Sequence, residues 1–146
     1  MQEPRLETLP SANMLKPFNP HEGFCSHWWV GQADEGSEFL QFRVDGRVVA
    51  RAEVKQDNAS SFPEMEGLKT PPVLQEVVFI EVDRGYRSKG FGTDFIARLE
   101  EHYADFTLAA YSEEADDFWR SVGWHHCPHR DGQDSCRRNF FTSAEL

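Results

Sequence analysis

The longest regular pattern of apolar and polar positions lies between residues 76 and 103. It begins with a nearly continuous apolar, β-branched run, as expected for a strand covered on both faces: Val77, Val78, Phe79, Ile80 and Val82. After a basic loop with glycines, apolar residues recur at three- and four-residue spacing, as on one side of a helix: Phe91, Phe95, Ile96, Leu99 and Tyr103. The pattern therefore predicts a strand, a glycine loop and an amphipathic helix in direct succession.

A second pattern, strict alternation, predicts a hairpin over residues 38–55. Apolar residues alternate with polar ones on both sides of Asp45-Gly46: Leu40, Phe42 and Val44 before it, and Val48, Ala50, Ala52 and Val54 after it. Asp-Gly between two alternating runs is a strong signal of a two-residue hairpin turn. We expect one face of this strand pair to be buried in the core and the other to be exposed to solvent. On the second strand the solvent-exposed face carries Arg47, Arg51, Glu53 and Lys55.

Shorter runs complete the predicted sheet. They are residues 5–9, a buried strand at 106–111, and two strands within 124–145 joined by a turn at 130–134. The strand at 106–111 should run parallel to the one at 76–82, because a single helix connects them.

Two segments between these runs lack a strand pattern. Residues 21–30 predict a helix, and residues 56–72 predict a long polar loop. The fold class is therefore α/β, with a mixed sheet of six or seven strands and helices on both faces, in a single domain spanning residues 1–146.

Composition and charge exclude several classes of function. The formal net charge of −10 argues against nucleic acid as a partner, because phosphate binding requires a basic surface. Three cysteines are too few, and odd in number, for a disulfide framework. No apolar run approaches the ~20 residues of a membrane span. The polar N-terminus has no secretory signal, so we expect a cytoplasmic protein with reduced thiols and no membrane partner.

The loop after the central strand is suited to an anionic phosphate group. The N–H groups of a helix's first turn have no partner inside the helix, and the helix dipole adds about half a positive charge there. Gly90 and Gly92 lack a Cβ, so a phosphate can approach the main chain closely. Arg84, Arg87 and Lys89 add positive charge.

The spacing Arg87-x-x-Gly90-x-Gly92 is neither a P-loop nor a dinucleotide fingerprint. In its position between a strand and a helix it resembles the (Gln/Arg)-x-x-Gly-x-(Gly/Ala) motif of the GNAT superfamily of acyl-CoA-dependent N-acetyltransferases. Residues 115–124, Ala-Asp-Asp-Phe-Trp-Arg-Ser-Val-Gly-Trp, are similar to the family's Ala-x-x-Phe-Tyr-x-x-x-Gly-Phe segment. The two motifs cover roughly residues 73–125.

The resemblance implies acetyl-CoA as co-substrate and a GNAT fold whose central strands splay around the CoA arm. It implies that the main chain of Ile80 and Val82 binds the pantetheine arm. It also implies CoA contacts from the loop and helix start: Arg87, Ser88, Lys89, Gly90, Phe91, Gly92 and Thr93. Trp119 replaces a tyrosine that the family often uses to protonate the leaving thiolate, and we expect it to be a wall of the pantetheine channel.

Acetyl transfer to a primary amine requires a base, because about a thousandth of an amine with a pKa near ~10.4 is neutral at pH 7. Glu76 is the candidate, since it opens an otherwise apolar strand. Resemblance to the histone-acetylating branch of the family places a general base at the same distance from the CoA loop. The alternative is an ordinary strand-end glutamate facing solvent. An indole has no proton to give, so Tyr111 or Ser112 is the candidate acid in place of Trp119.

Two further functions stand beside N-acetyl transfer by direct attack in a ternary complex. One is an acyl-CoA-binding regulatory or structural module without turnover, which Trp119 favours. The other is a metal-responsive interaction protein, since His125, Cys127 and His129 alternate with Cys136 nearby. That spacing matches no standard zinc arrangement, so we expect no metal. The expected partners are acetyl-CoA and an amine of a small molecule or protein, with the chain a monomer or homodimer.

Overall fold

The computed structural model describes residues 4–9, 24, 37–58, 73–128 and 138–144. Its helices and strands, in chain order, are β1 (Arg5–Thr8), β2 (Ser37–Val44), β3 (Arg47–Asn58), β4 (Val73–Val82), α1 (Phe91–His102), β5 (Thr107–Tyr111), α2 (Asp116–Ser121), β6 (His125–Cys127) and β7 (Phe140–Thr142). The strands form a seven-stranded sheet in the order β1-β2-β3-β4-β5-β7-β6. Because β4 and β5 are parallel while β1–β2, β2–β3, β5–β7 and β6–β7 are antiparallel, the predicted mixed α/β sheet is confirmed.

The chain divides into two compact units, each made of two segments. Unit 1 comprises Met1–Lys55 and Val78–Leu99, and unit 2 comprises Gln56–Val77 and Glu100–Leu146. The expectation of one domain over residues 1–146 stays a prediction. No helix within the described residues is long and apolar enough to cross a membrane.

The predicted hairpin of unit 1 is confirmed. Asp45 and Gly46 have φ angles of 50° and 79°, so both central residues are left-handed, as a two-residue hairpin turn with the twist of the strands requires. The register pairs Val44 with Arg47, and it shifts between Phe42 and Arg43. β1 extends the hairpin along β2 at the predicted position, with the Arg43 guanidinium 2.9 Å from the Glu7 carboxylate.

The predicted solvent-exposed face of β3 is wrong at Arg51 and Glu53, which are each only 4% exposed, whereas Arg47 is exposed as predicted. Phe24 packs over the Arg51 guanidinium with its ring centre 4.1 Å from Cζ, and the Ser37 hydroxyl donates to Glu53 at 2.7 Å. Charged side chains can be buried in this way when other groups neutralise or bond them. β3 also continues to Asn58, into the segment predicted as a loop.

The predicted amphipathic helix is confirmed by α1, whose buried residues are Phe95, Ile96 and Leu99. Phe95 stacks on Phe42 of β2 with ring centres 5.6 Å apart. On β4, however, the expectation of two covered faces is wrong at Val78, which is 42% exposed. A β-branched run favours a strand but does not by itself determine whether its second face is covered.

Unit 2 contains the parallel β4–β5 ladder, which pairs Leu74 with Thr107, Gln75 with Leu108 and Glu76 with Ala109, and ends there. β7 lies between β5 and β6 in the sheet, so the predicted C-terminal strands are confirmed. A buried cluster joins these strands: Leu74, Ala109, Cys127 and Phe140, with Tyr111 packed against it. The predicted turn at 130–134 lies outside the described residues, as does the helix at 21–30 apart from Phe24.

Candidate functional site

The loop after β4 is held by Asp83. Its Oδ1 accepts from the Gly85 N–H at 2.8 Å, and its carbonyl accepts from the Tyr86 N–H at 2.8 Å, so residues 84–86 form one 3₁₀ turn. The Asp83 N–H itself donates to the Val49 carbonyl of β3 at 2.8 Å. Sequence analysis missed this residue, although an aspartate two positions before a glycine is a recognisable turn signal.

Beyond the 3₁₀ turn the backbone passes through two left-handed residues into α1. Ser88 has φ 62° and Gly90 has φ 84°. An added Cβ at Gly90 would meet nothing within 4 Å, so this glycine is required by its φ and not by lack of space.

Helical pairing in α1 begins with the bond from the Asp94 N–H to the Gly90 carbonyl at 3.0 Å. The N–H groups of Phe91, Gly92 and Thr93 precede it and therefore form the open first turn.

Positive side chains surround this first turn within unit 1. Arg87 is anchored by its Nε, which donates to the Val82 carbonyl at 3.0 Å, and its Nη2 lies 3.7 Å from Glu81. Lys89 lies over the Tyr86 ring, with Nζ 5.9 Å from the ring centre. The loop residues Arg84, Arg87, Ser88, Lys89 and Gly90 are all exposed, so an anion can reach this charge.

Arg47 adds a further cation, which the sequence analysis placed on the solvent-exposed face of the second hairpin strand. Its Nη1 donates to the Tyr86 hydroxyl at 3.0 Å, which ties the hairpin turn to the loop. Tyr86 also packs against Phe91, the first residue of α1, with ring centres 5.7 Å apart. The contact between Arg47 and Tyr86 could not be predicted from the sequence, because Arg47 lies far from the loop along the chain.

Ile80 and Val82, predicted to bind through their main chain, are half-buried on β4. The Val82 carbonyl already accepts from Arg87. Nine of the ten predicted cofactor contacts lie in unit 1, between Ile80 and Thr93, and the tenth, Trp119, belongs to unit 2.

The predicted catalytic residues lie in unit 2. Glu76 is half-buried and pairs with Ala109 in the β4–β5 ladder. Ladder partners project from the same face of a sheet, and Tyr111 follows Ala109 by two residues, so Glu76 and Tyr111 share a face. At ~3.3 Å per residue they are offset by about 7 Å along the strands.

Tyr111 is held between Phe140, whose ring centre is 4.9 Å away, and the Arg138 guanidinium at 4.7 Å from its ring centre. Ser112 is only 3% exposed, and its Oγ accepts from the Ala115 N–H at 3.0 Å. α2 begins at Asp116 with Ala115 as its N-cap, so Ser112 closes the turn that precedes the helix.

Trp119 of α2 lies in an aromatic cluster. It is 2% exposed, with ring centres 4.5 Å from Trp124 and 5.2 Å from Phe118. The Trp124 Nε1–H donates to Glu100 at 3.0 Å. A role for Trp119 as a channel wall stays a prediction.

The alternating His/Cys group divides in the structure. His125 is exposed whereas Cys127 is buried, and His129 and Cys136 lie outside the described residues. Within the described part of the chain, no three His, Cys, Asp or Glu residues are placed to hold a metal ion.

Because of Asp116, the free energy of unfolding of unit 2 should depend on pH in the acidic range. Hydrogen bonds from the Ser112 hydroxyl and then from the Asn139 amide, at 2.7 Å, lower the pKa of Asp116. Because the folded pKa lies below the unfolded value of about 3.9, the stabilisation is present above about pH 4 and is lost as pH falls through the folded pKa. Urea unfolding should therefore show a gap between wild type and Asp116→Asn at pH 7 that closes toward pH 2.

The control for this experiment is Asp117→Asn, which removes an exposed carboxylate from the same turn. Its stability gap should be small throughout. A wild type–Asp116→Asn gap that stays constant from pH 7 to pH 2 would contradict the assignment.

Trp119→Phe should destabilise the protein by about 1–2 kcal/mol, because a smaller ring leaves a cavity against Trp124 and weakens the aromatic contact. Trp124→Phe should cost more, since it also removes the hydrogen bond to Glu100. Urea unfolding of both variants checks the order. Equal stability of Trp119→Phe and wild type would show that the cluster is loosely packed.

Comparison with known proteins gives a family and a set of related folds. The acetyltransferase (GNAT) family model matches residues 4–129. Comparison with curated protein sequences gives no match. Among solved structures, the chain is similar to AtaTR bound with AcCoA, at 14% identity and a TM-score of 0.61, covering 98% of this chain and 95% of that one.

Two more solved structures show the same fold. A ribosomal-protein alanine N-acetyltransferase from Escherichia coli is 14% identical, with a TM-score of 0.57 and coverage of 96% of this chain and 91% of that one. The Bacillus subtilis N-acetyltransferase YlbP in complex with coenzyme A is 17% identical, with a TM-score of 0.54 over 71% of this chain. The match spans 65% of the B. subtilis protein, less than two thirds of its length.

The family match extends from β1 to β6 and includes the glycine loop and the open first turn of α1. The chain therefore belongs to the acetyltransferase (GNAT) family.

Proposed function

We propose that this chain is an N-acetyltransferase that transfers an acetyl group from acetyl-CoA to a primary amine, by direct attack in a ternary complex. The observation that carries the proposal is the open first turn of α1, preceded by left-handed Gly90 and surrounded by Arg47, Arg87 and Lys89. Family membership supports it, as do the fold neighbours whose structures contain coenzyme A or AcCoA.

The diphosphate of CoA would bind at this first turn. The N–H groups of Phe91, Gly92 and Thr93 can donate to its oxygens, and the dipole of the 12-residue helix favours negative charge there. Arg87 is held by the Val82 carbonyl and Glu81, so its guanidinium is already oriented before an anion arrives. The pantetheine arm would run along the main chain of β4 at Ile80 and Val82.

Glu76 would act as the general base. It takes a proton from the ammonium form of the acceptor, and the neutral nitrogen then attacks the thioester carbonyl carbon. When the resulting tetrahedral intermediate collapses, the C–S bond breaks, and the nitrogen releases its second proton to solvent as the neutral amide forms. The shared face of Glu76 and Tyr111 supports a division of tasks in which Tyr111 gives its proton to the leaving thiolate.

Tyr111 is preferred to Ser112 as the acid for a geometric reason. The Ser112 hydroxyl is buried and bonds the turn before α2, so a proton transfer from it would disturb that turn. Tyr111 is half-buried at the end of β5. Trp119 has no proton to give, and Trp119→Phe is expected to retain most activity.

The alternative, an acyl-CoA-binding module without turnover, differs in one observable result. Both functions predict CoA binding, but only the enzyme consumes the thioester when amines are supplied. The acceptor is proposed as a class, an amine of a small molecule or a protein. The oligomeric state, monomer or homodimer, and the cytoplasmic location stay predictions.

Gly92→Asp should abolish CoA binding. The new carboxylate lies in the first turn of α1, where it stabilises the helix but occupies and repels the phosphate site. The control is Ala97→Asp, which adds the same charge to an exposed position in the middle of the same helix. Calorimetric titration with CoA should give wild-type affinity for Ala97→Asp and none for Gly92→Asp. Undiminished affinity in Gly92→Asp would remove the basis of the proposal.

Glu76→Gln should lower turnover by roughly ten- to a thousandfold, near the ~10²–10⁴ typical of a general base, with little change in CoA affinity. The deficit should shrink as pH rises toward the pKa of the amine, because the acceptor then loses its proton in solution. Thioester consumption measured from pH 6 to 9 with an active amine checks both points. Glu38→Gln, an exposed glutamate on β2, is the matched control and should behave as wild type.

A deficit in Glu76→Gln that does not vary with pH would indicate a structural role for this residue. Equal turnover of this variant and wild type at every pH would exclude it as the base.

A further inference from the structure

Behind the glycine loop, unit 1 contains a buried arginine, Arg51 of β3, which the alternation pattern had placed in water. It is 4% exposed, and Phe24 covers its guanidinium at 4.1 Å. Val49 lies two residues earlier on β3, and its carbonyl accepts from the Asp83 N–H at 2.8 Å. Arg51 therefore lies near the point where β4 turns into the loop.

Two carboxylates of the β4 end act on this guanidinium, Glu81 and Asp83. Burial lowers the pKa of Arg51, and the negative charges of Glu81 and Asp83 oppose that shift. Asp83 is itself only 4% exposed. Arg51 and Asp83 are thus both buried where the end of β4 bonds to β3.

Each of these carboxylates also holds part of the loop. Asp83 accepts from the Gly85 N–H, which fixes the 3₁₀ turn, and Glu81 lies 3.7 Å from Nη2 of Arg87. The two carboxylates that act on Arg51 therefore also contact residues of the loop.

We infer that Arg51 is a positioning residue: its buried guanidinium orients the Asp83 and Glu81 carboxylates, and through them sets the Gly85 turn and the Arg87 guanidinium for anion binding. The link to CoA rests on the proposed function, whereas the link to the loop conformation rests on the contacts alone. Arg51 itself would touch no ligand.

A purely structural role for Arg51 makes a different prediction. If it only filled space under Phe24, a long apolar side chain would replace it, and any loss would appear as lower overall stability. If Arg51 positions the loop, its removal lowers the protection from hydrogen exchange locally, at the amides bonded to Asp83. Lysine at this position restores part of that protection because it keeps the charge.

The test compares Arg51→Met and Arg51→Lys by amide hydrogen exchange at Gly85 and Tyr86, measured by NMR without ligand. Arg51→Met should speed exchange at these two amides by about tenfold or more, the order expected for weakening a hydrogen bond to a charged group. Amides of the β2–β3 ladder should keep wild-type rates. Arg51→Lys should lie closer to wild type.

The matched control is Arg43→Met, which removes an arginine of the same unit that also pairs with a carboxylate, Glu7, but on the β1–β2 side of the sheet. It should leave exchange at Gly85 and Tyr86 unchanged. Titration of the variants with CoA should give a dissociation constant raised about tenfold in Arg51→Met and unchanged in Arg43→Met.

Wild-type exchange at Gly85 in a folded Arg51→Met would overturn the inference. If Arg51→Met does not fold, Arg51→Gln replaces it, because it keeps a polar side chain and removes the charge while leaving Asp83 unchanged. Faster Gly85 exchange in that variant supports the inference, and unchanged exchange overturns it. If the wild-type protein binds no CoA, the proposed function fails, while exchange at Gly85 still decides the role of Arg51.

Discussion

An α-helix cannot satisfy the N–H groups of its own first turn, and the chain from β4 to α1 is arranged around this constraint. The turn must bring the chain off a strand and into a helix without covering those groups. Left-handed Gly90 does so without a side chain, and the first helical bond starts only at Asp94. The basic residues of the loop then stand beside donors that are already in place.

The rigidity of this turn comes from a carboxylate and not from apolar packing. Asp83 uses its backbone N–H, its carbonyl and its side chain to join β3, Tyr86 and Gly85. Buried ionic groups are weak evidence for stability, since apolar residues of similar volume often serve as well. The contacts of Asp83 and Glu81 with the loop fit instead a role in setting the conformation of the proposed anion site.

The candidate catalytic pair depends on a different feature, the register of two parallel strands. Pairing of Glu76 with Ala109 places Tyr111 on the face of Glu76. The remaining neighbours on this face are largely apolar, and include Leu74 and Phe140. Tyr111 therefore packs against an apolar cluster on one side, while the Arg138 guanidinium lies 4.7 Å from its ring centre.

Local patterns were enough to predict much of the fold. The Asp-Gly turn, the stripe of α1 and the parallel crossover to β5 are each decided by neighbours in sequence, through backbone conformation, helical period or the handedness of a connection. The glycine loop after β4, proposed to bind the anion, was predictable for the same reason, since its glycines, its cations and the helix start lie within one short segment.

The sequence by itself therefore determined the strand, loop and helix that form the proposed anion site, and the resemblance that points to acetyl-CoA. Tertiary structure alone decided that Arg51 is buried, that Arg47 reaches Tyr86 and that Ser112 closes a turn instead of capping α2. Alternation assigns a charged residue to water by default, because the energy of burying it depends on partners that lie far away in the chain. For Arg51 those partners are Glu81 and Asp83, which come close only when β3 and β4 pair.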